Sequence, residues 1–313
     1  MSLKILISGG CGYIGSILVP ELVRKGYSVT VVDNLMYRQN SLIDLTHFDN
    51  FEIVKGDVRD TELMWKLLTK ADVIIPLAAL VGFPLCKKDP KLAEEINFKA
   101  VKWIIDNKSE SQYVLYPNTN SGYGIGKDNN FCTEETILNP VSVYGKTKVE
   151  AEKAVLDGKN TMAFRLATVF GCSSKMRLDL LVNDFTYKAW SDHYITLFQS
   201  HYKRNYVHIR DVANAFMWAI ENFDKVKGQV FNLGLSEANL TKLELCMEIK
   251  KQIEDFHITL AEIALDPDMR NYIVNNDKIE KAGFKATISI QQGIKELIKS
   301  FQILSPNIYS NLV

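Results

Sequence analysis

An apolar run that stops on a glycine-rich turn limits this chain more than any other feature. Residues 3–7 (Leu-Lys-Ile-Leu-Ile) read as a buried strand, and residues 8–15 as the turn after it. Apolar residues then recur at helical spacing over 14–25, with Gly26 as the stop. Residues 30–32 (Thr-Val-Val) form a second strand that ends at Asp33. This is a β-α-β unit, and Gly10-x-Gly12-x-x-Gly15, overlapped by Gly9-x-x-Gly12-x-x-Gly15, occupies its first turn. Glycines there let the chain turn tightly and let a pyrophosphate approach the helix N-terminus, where unpaired N–H groups and the macrodipole favour an anion. The fold class that follows is α/β, a Rossmann-type doubly wound parallel sheet.

The acid closing the second strand indicates the cofactor. A carboxylate at Asp33 is placed to accept hydrogen bonds from both adenosine ribose hydroxyls and to repel a 2′-phosphate, so NAD is expected rather than NADP. Arg38 is five positions further on and reads as a solvated loop charge. Gly9, Gly12, Tyr13, Ile14, Gly15, Asp33 and Asn34 are the cofactor residues of this half. A third strand (51–55) is followed by Asp57 and Val58, with Asp57 either bonding the adenine amino group or capping the helix over 60–68. Residues 73–75 are a continuous apolar run, as a central parallel strand requires. The small residues after it, Leu77-Ala78-Ala79, leave room for the nicotinamide half. Asn97, on a helical stretch over 92–105, is either a buried backbone clamp or an exposed polar residue.

A further strand, 113–116, runs into Pro117-Asn118-Thr119-Asn120-Ser121-Gly122-Tyr123-Gly124. Hydroxyls at the carboxyl end of a parallel strand are well placed to touch substrate. After Pro140 comes Tyr144-Gly145-Lys146-Thr147-Lys148, in which the tyrosine and lysine, four apart, share one helix face. Tyr144 is the candidate acid/base and Lys148 the cation that lowers its pKa. Residues 162–166 read as the sixth strand of the sheet, continuing into 167–171. Beyond 172 the alternation becomes irregular. The expected division is an NAD-binding domain over 1–171 and a smaller second lobe over 172–313, with part of the later chain returning to the first domain.

Length and composition are consistent with this. A chain of 313 residues can bury a sizeable core, and its formal net charge of zero lacks the basic footprint of a nucleic-acid binder. Five irregularly spaced cysteines point to a reducing compartment, and the first apolar run is too short for a signal peptide or a membrane span. A cytoplasmic protein with no nucleic-acid or membrane partner is expected.

Taken together, these stretches resemble the extended short-chain dehydrogenase/reductase family, the nucleotide-sugar epimerases and dehydratases. The motifs that carry the resemblance are residues 9–15, Asp33-Asn34, Asp57, residues 119–124, Tyr144-x-x-x-Lys148, residues 165–168 and Arg204-Asn205-Tyr206-Val207-His208. The resemblance implies hydride transfer at a sugar carbon, usually C4, with Tyr144, Lys148 and Thr119 catalytic and Ser121 second choice for the hydroxyl role. It implies that Lys148 also binds the nicotinamide ribose, and that Arg204 and Arg270 grip a diphosphate. Asn120, Ser121, Thr168, Arg177, Leu181, Arg204 and Arg270 are the implied substrate residues. The 4,6-dehydratases carry an Asp-Glu pair where this chain has Asn120 and Ser121, which argues against dehydration, and Cys86 reads as a buried apolar thiol. Residues 77–82, 117–124, 165–171 and 176–185 look closest to a subgroup that includes the GDP-D-glycero-α-D-manno-heptose 4-dehydrogenases of capsular polysaccharide biosynthesis. That subgroup implies a GDP-sugar substrate and a 4-keto product. A 4-epimerase with the same residues and a non-catalytic NAD-binding sensor are the other readings. Apolar surplus on the Tyr144 helix and on residues 92–105 implies a homodimer built on paired helices.

Overall fold

The computed structural model describes residues 2–38, 40–125, 131–261 and 270–304. In chain order the strands are β1 (Lys4–Ser8), β2 (Ser28–Asp33), β3 (Phe51–Lys55), β4 (Val73–Pro76), β5 (Tyr113–Thr119), β6 (Phe131–Cys132) and β7 (Thr161–Leu166). They continue as β8 (Thr168–Phe170), β9 (Tyr194–Phe198), β10 (Lys203–His208), β11 (Val230–Leu233), β12 (Asn239–Thr241), β13 (His257–Ala261) and β14 (Ile273–Val274). The principal helices are α1 (Gly15–Arg24), α2 (Thr61–Leu68), α3 (Phe83–Lys88), α4 (Pro90–Glu94), α5 (Ala100–Asn107), α6 (Val143–Leu156), α7 (Leu181–Ser191) and α8 (Ile209–Glu221).

Seven strands form one sheet in the order β11-β7-β5-β4-β1-β2-β3. The pairs β1–β2, β2–β3, β1–β4 and β4–β5 are parallel. This is the doubly wound order, and it reverses direction at β1, where open α/β sheets bind ligands at the strand carboxyl ends. Ile5, Leu6 and Ile7 are buried, as are Val73, Ile74 and Ile75, because helices cover both faces of these central strands. Residues 162–166 do form the sixth strand of this sheet in chain order, but the strand does not run on to 171. The chain breaks at Ala167, and Thr168–Phe170 pairs in parallel with Tyr206–His208 in a separate three-stranded sheet. The seventh strand, β11, is four residues long and lies beyond 172, where strand and helix no longer alternate regularly in the sequence.

Packing divides the chain into two compact units that interleave along it. The first comprises residues 1–119, 142–165 and 213–231, and the second residues 120–141, 166–212 and 232–313. The first holds most of the seven-stranded sheet, with a core of Leu6, Val32, Met64, Leu68, Ile74, Ile104 and Val114. The second holds the small sheets β12-β10-β8, β13-β9 and β14-β6 and the helix Ile290–Phe301. No helix among the described residues is long and apolar enough to cross a membrane.

Candidate active site

The turn after β1 is built by steric exclusion. Gly9 has φ of +70°, and a Cβ there would lie 2.6 Å from the backbone of Ala78, just beyond β4. A Cβ at Gly15 would lie 2.2 Å from the Gly10 carbonyl. Gly12 differs, because its added Cβ would meet only the Gly9 carbonyl, at 3.1 Å. The first two glycines are required by chain against chain, and the third leaves open space above the turn, the opening a pyrophosphate needs. Ile14 stands at the N-cap of α1 without a side-chain cap, and the Tyr13 carbonyl accepts from the Ser16 hydroxyl at 2.9 Å.

Asp33 ends β2 beside this turn. Its Oδ2 accepts from the Cys11 N–H at 3.0 Å and its Oδ1 from the Leu35 N–H at 2.9 Å. Burial raises its pKa, and the two backbone donors oppose the rise. The carboxylate is thereby aimed by its own loop, with lone pairs left for ribose hydroxyls. Arg38 is exposed on the loop that follows. Asp57 is not the helix cap. Asp60 caps α2 through the Leu63 N–H, while Asp57 is gripped by Arg59, Nε to Oδ1 at 2.9 Å and Nη2 to Oδ2 at 3.0 Å. The Arg59 bonds bring the Asp57 carboxyl down to about 2. Asn34 donates to Asp57 across 3.5 Å, so these two cofactor candidates meet, and Val58 packs into the core. Leu77, Ala78 and Ala79 are half-buried beyond β4. The residues present fit a dinucleotide: an open glycine turn at a helix N-terminus, with a carboxylate at the end of the next strand.

Helix α6 begins at Ser142, whose Oγ accepts from the Gly145 N–H at 3.0 Å. Tyr144 sits in its first turn, half-buried against Leu80, Cys86 and Ala93. Lys148, one turn on, is only 4% exposed. Its Nζ lies 4.1 Å from the centroid of the Tyr116 ring on β5. Burial pulls the Lys148 ammonium from its ordinary 10.5 down to about 7, and the carboxylate of Glu152 pulls the other way. Thr119 is the last residue of β5, three positions beyond Tyr116. The face of α6 that carries Tyr144 and Lys148 therefore packs on the strand that delivers Thr119.

Asn97 is the backbone clamp of the two alternatives. It is buried, accepts from the Leu80 N–H at 2.8 Å and donates to the Leu80 carbonyl at 3.0 Å, fixing the loop after β4. A π-helical turn over Glu95–Lys99 interrupts residues 92–105 at this asparagine. Cys86 is buried and donates to the Leu80 carbonyl at 3.1 Å, and burial pushes its thiol up to about 11. All five cysteines are free.

In the second unit, Arg270 Nη1 donates to the Ser121 hydroxyl, joining two substrate candidates 149 residues apart. The expected loop residues 266–269 lie outside the described residues. Arg204 is 1% exposed on β10, donates to the Lys203 carbonyl at 3.0 Å, and holds its guanidinium 5.6 Å from the Tyr272 ring. Both arginines act electrostatically on the buried Tyr206. Asn120 is fully buried, and neither its amide nitrogen nor its oxygen has a hydrogen-bond partner among the described residues. Thr168 pairs with Tyr206 in the small sheet, and Leu181 opens α7. Arg177 is turned toward Asp179, to which its Nε donates at 3.1 Å. His208, the last residue of the Arg204 motif, is buried edge-on to Phe170, and burial lowers it to about 4. Its Nδ1 accepts from the Arg210 N–H at 3.2 Å, and its Nε2 lies 3.3 Å from Glu296 Oε2.

Three residues beside the Tyr144–Lys148 face had no role legible in the sequence: Tyr116, Asn118 and Glu152. Glu152 is buried, and Arg165 grips it with Nη2 to Oε1 at 2.7 Å and Nε to both oxygens at 3.1 Å. Asn118 donates to its Oε2. The available signal was spacing: Glu152 continues the i, i+4 series Tyr144, Lys148.

Comparison with known proteins decides the family. The model of the NAD dependent epimerase/dehydratase family matches residues 5–234. The chain belongs to this family. It is an NAD-dependent enzyme of the extended short-chain dehydrogenase type. It is 30% identical to the UDP-glucose 4-epimerase of Lactobacillus helveticus over 274 residues, covering 80% of this chain and 81% of that one. It is 27% identical to the CDP-paratose 2-epimerase of Salmonella typhi, covering 94% and 98%. Among solved structures, the UDP-glucose 4-epimerase of Thermotoga maritima with UDP-glucose superposes with a TM-score of 0.84 at 23% identity, covering 96% and 99%. The NAD complex of the Thermus thermophilus UDP-glucose 4-epimerase gives 0.82 at 20%, covering 97% and 100%.

Proposed function

We propose that this member of the family oxidises a nucleotide-activated sugar at C4. The observation that carries the reading is the arrangement on α6 and β5: a half-buried phenol, a buried ammonium one turn away, and a hydroxyl ending the neighbouring strand. A tyrosine near pKa 10 is a poor base at neutral pH, and lowering it by roughly three units takes about 4 kcal/mol of differential stabilisation. Lys148 supplies this by facing the developing phenolate with a poorly solvated positive charge. Tyr144 takes the proton from the C4 hydroxyl, and Thr119 holds that oxygen by a hydrogen bond. Bound NAD supplies the hydride acceptor. Arg204 and Arg270 hold the diphosphate, for which guanidinium forks are suited. Asn120 and Ser121, with no proton to move at useful pKa, leave the 4-keto sugar intact rather than dehydrating it.

The substrate we favour is GDP-D-glycero-α-D-manno-heptose with release of the 4-keto product, which the motifs over 77–82, 117–124, 165–171 and 176–185 support. The second reading is a 4-epimerase, supported by the UDP-glucose 4-epimerase relative. The two share their first step and differ in whether the ketone leaves or turns its other face and is reduced. The test is incubation with GDP-D-glycero-α-D-manno-heptose, and separately with UDP-glucose, in deuterated water with a 2-keto acid as hydride acceptor, followed by NMR. A 4-keto GDP-heptose with the acceptor reduced in step supports the first reading. A C4 epimer with no net redox change supports the second, and no reaction at either sugar overturns both.

A further inference from the structure

Lys148 is an uncomfortable cation. It is buried on α6 over an aromatic face, and a cation–π contact falls well short of offsetting the desolvation of a buried ammonium. Catalysis nonetheless needs it charged. Among the described residues, Tyr116 from β5 lies under its Nζ and Glu152 on its own helix acts on it electrostatically, with Arg165 from β7 reaching it through Glu152 and with Tyr144 and the neutral Cys86 thiol in the neighbouring cluster. Burial holds the Tyr116 phenol well above its ordinary 10, so it brings no negative charge. Glu152 is the one carboxylate among these groups. It lies one turn beyond Lys148, is itself 2% exposed, and is fixed from two sides by Arg165 and Asn118.

We propose that Glu152 is the positioning residue of this site: its buried carboxylate keeps Lys148 in the ammonium form and, through Asn118, anchors the end of β5 that carries Thr119. A single group thus sets the charge on one catalytic candidate and the location of another without touching substrate. Arg165 holds Glu152 in place, and its fork occupies the carboxylate edge so that the side chain cannot swing to solvent. The catalytic significance rests on the Tyr144–Lys148 reading above, but the charge coupling can be measured without any sugar.

The test is an NMR titration of the NADH-bound protein labelled with 13Cε-lysine, the Lys148 signal being assigned by its loss in Lys148→Met. In Glu152→Gln, Lys148 should titrate about one unit or more lower than in the wild type, the size expected for losing one neighbouring opposite charge. That substitution leaves Arg165 as a buried unpaired charge, so Glu152→Gln/Arg165→Gln, which removes both, secures the measurement if the single variant does not fold. The double variant should also lie below the wild type, by less than the single one. Lys148 titrating as in the wild type in the folded variants overturns the proposal. On a substrate that is turned over, the alkaline limb of the kcat profile should move to lower pH in the same order. A fall in kcat with an unmoved profile would mean that Glu152 only braces the fold.

Discussion

The Nζ of Lys148 lies 4.1 Å from the centre of the Tyr116 ring, so the cation of the Tyr144-x-x-x-Lys148 pair rests on the strand that ends in Thr119. Helix and strand thereby meet at the face the proposed chemistry would use, and Tyr144→Phe tests that proposal most directly. Turnover should fall by about 10²–10⁴-fold, the usual worth of a positioned general base, while nucleotide binding is retained. Steady-state kinetics with a cofactor titration check this, and wild-type turnover would remove Tyr144 from the mechanism.

Lys148→Met makes a prediction about stability whose sign follows from burial. The folded-state pKa, about 7, lies below the ordinary 10.5. Below pH 7 both folded and unfolded chains carry the proton, and the buried charge destabilises the cofactor-free fold in full. Between 7 and 10.5 the unfolded chain holds a proton the folded one has shed, so this penalty fades as pH rises. Lys148→Met should therefore stabilise the cofactor-free protein at pH 6, by a few kcal/mol at most, with the gain shrinking toward pH 10. Denaturant melts at the two pH values read it, and a gain independent of pH would contradict it.

Asp33 should make the protein select NAD. With both oxygens already aimed by the Cys11 and Leu35 amides, the carboxylate cannot rotate away from a 2′-phosphate. NADH should bind at least about tenfold more tightly than NADPH, or about 1.4 kcal/mol, and Asp33→Asn should narrow the gap. Fluorescence titration with both cofactors checks it.

Asn97→Ala should cost about 2–3 kcal/mol, because it strands the N–H and carbonyl of Leu80 in a buried loop. The same change at the exposed Asn34 should be near neutral to stability. Equal effects at the two positions would mean that the clamp is not holding the loop.

The homodimer expected from the α6 helix and residues 92–105 is open to light scattering at micromolar concentration. Phe98 and Trp103 on this stretch are only partly buried. A monomer would contradict it.

The glycine turn, the β-α-β unit and the closing Asp33 were legible in the sequence because they are local. Steric exclusion at Gly9 and Gly15 and the periods of strand and helix act over a few residues. The pairing of Tyr144 with Lys148 was legible for the same reason, one helical turn being a fixed distance. Whether Asn97 clamps a loop, whether Asp57 caps a helix, and where the strand after Arg165 ends were decided by tertiary structure. The first and last depend on a partner far along the chain: Leu80 for Asn97, and the β10 residues Tyr206–His208 for the break at Ala167. For Asp57 the competitor was near, but Arg59 claimed both oxygens and left the cap to Asp60. The Glu152–Arg165–Asn118 network is the strongest case. A buried charge is tolerated only where its partners converge from other elements, and no local pattern records that convergence.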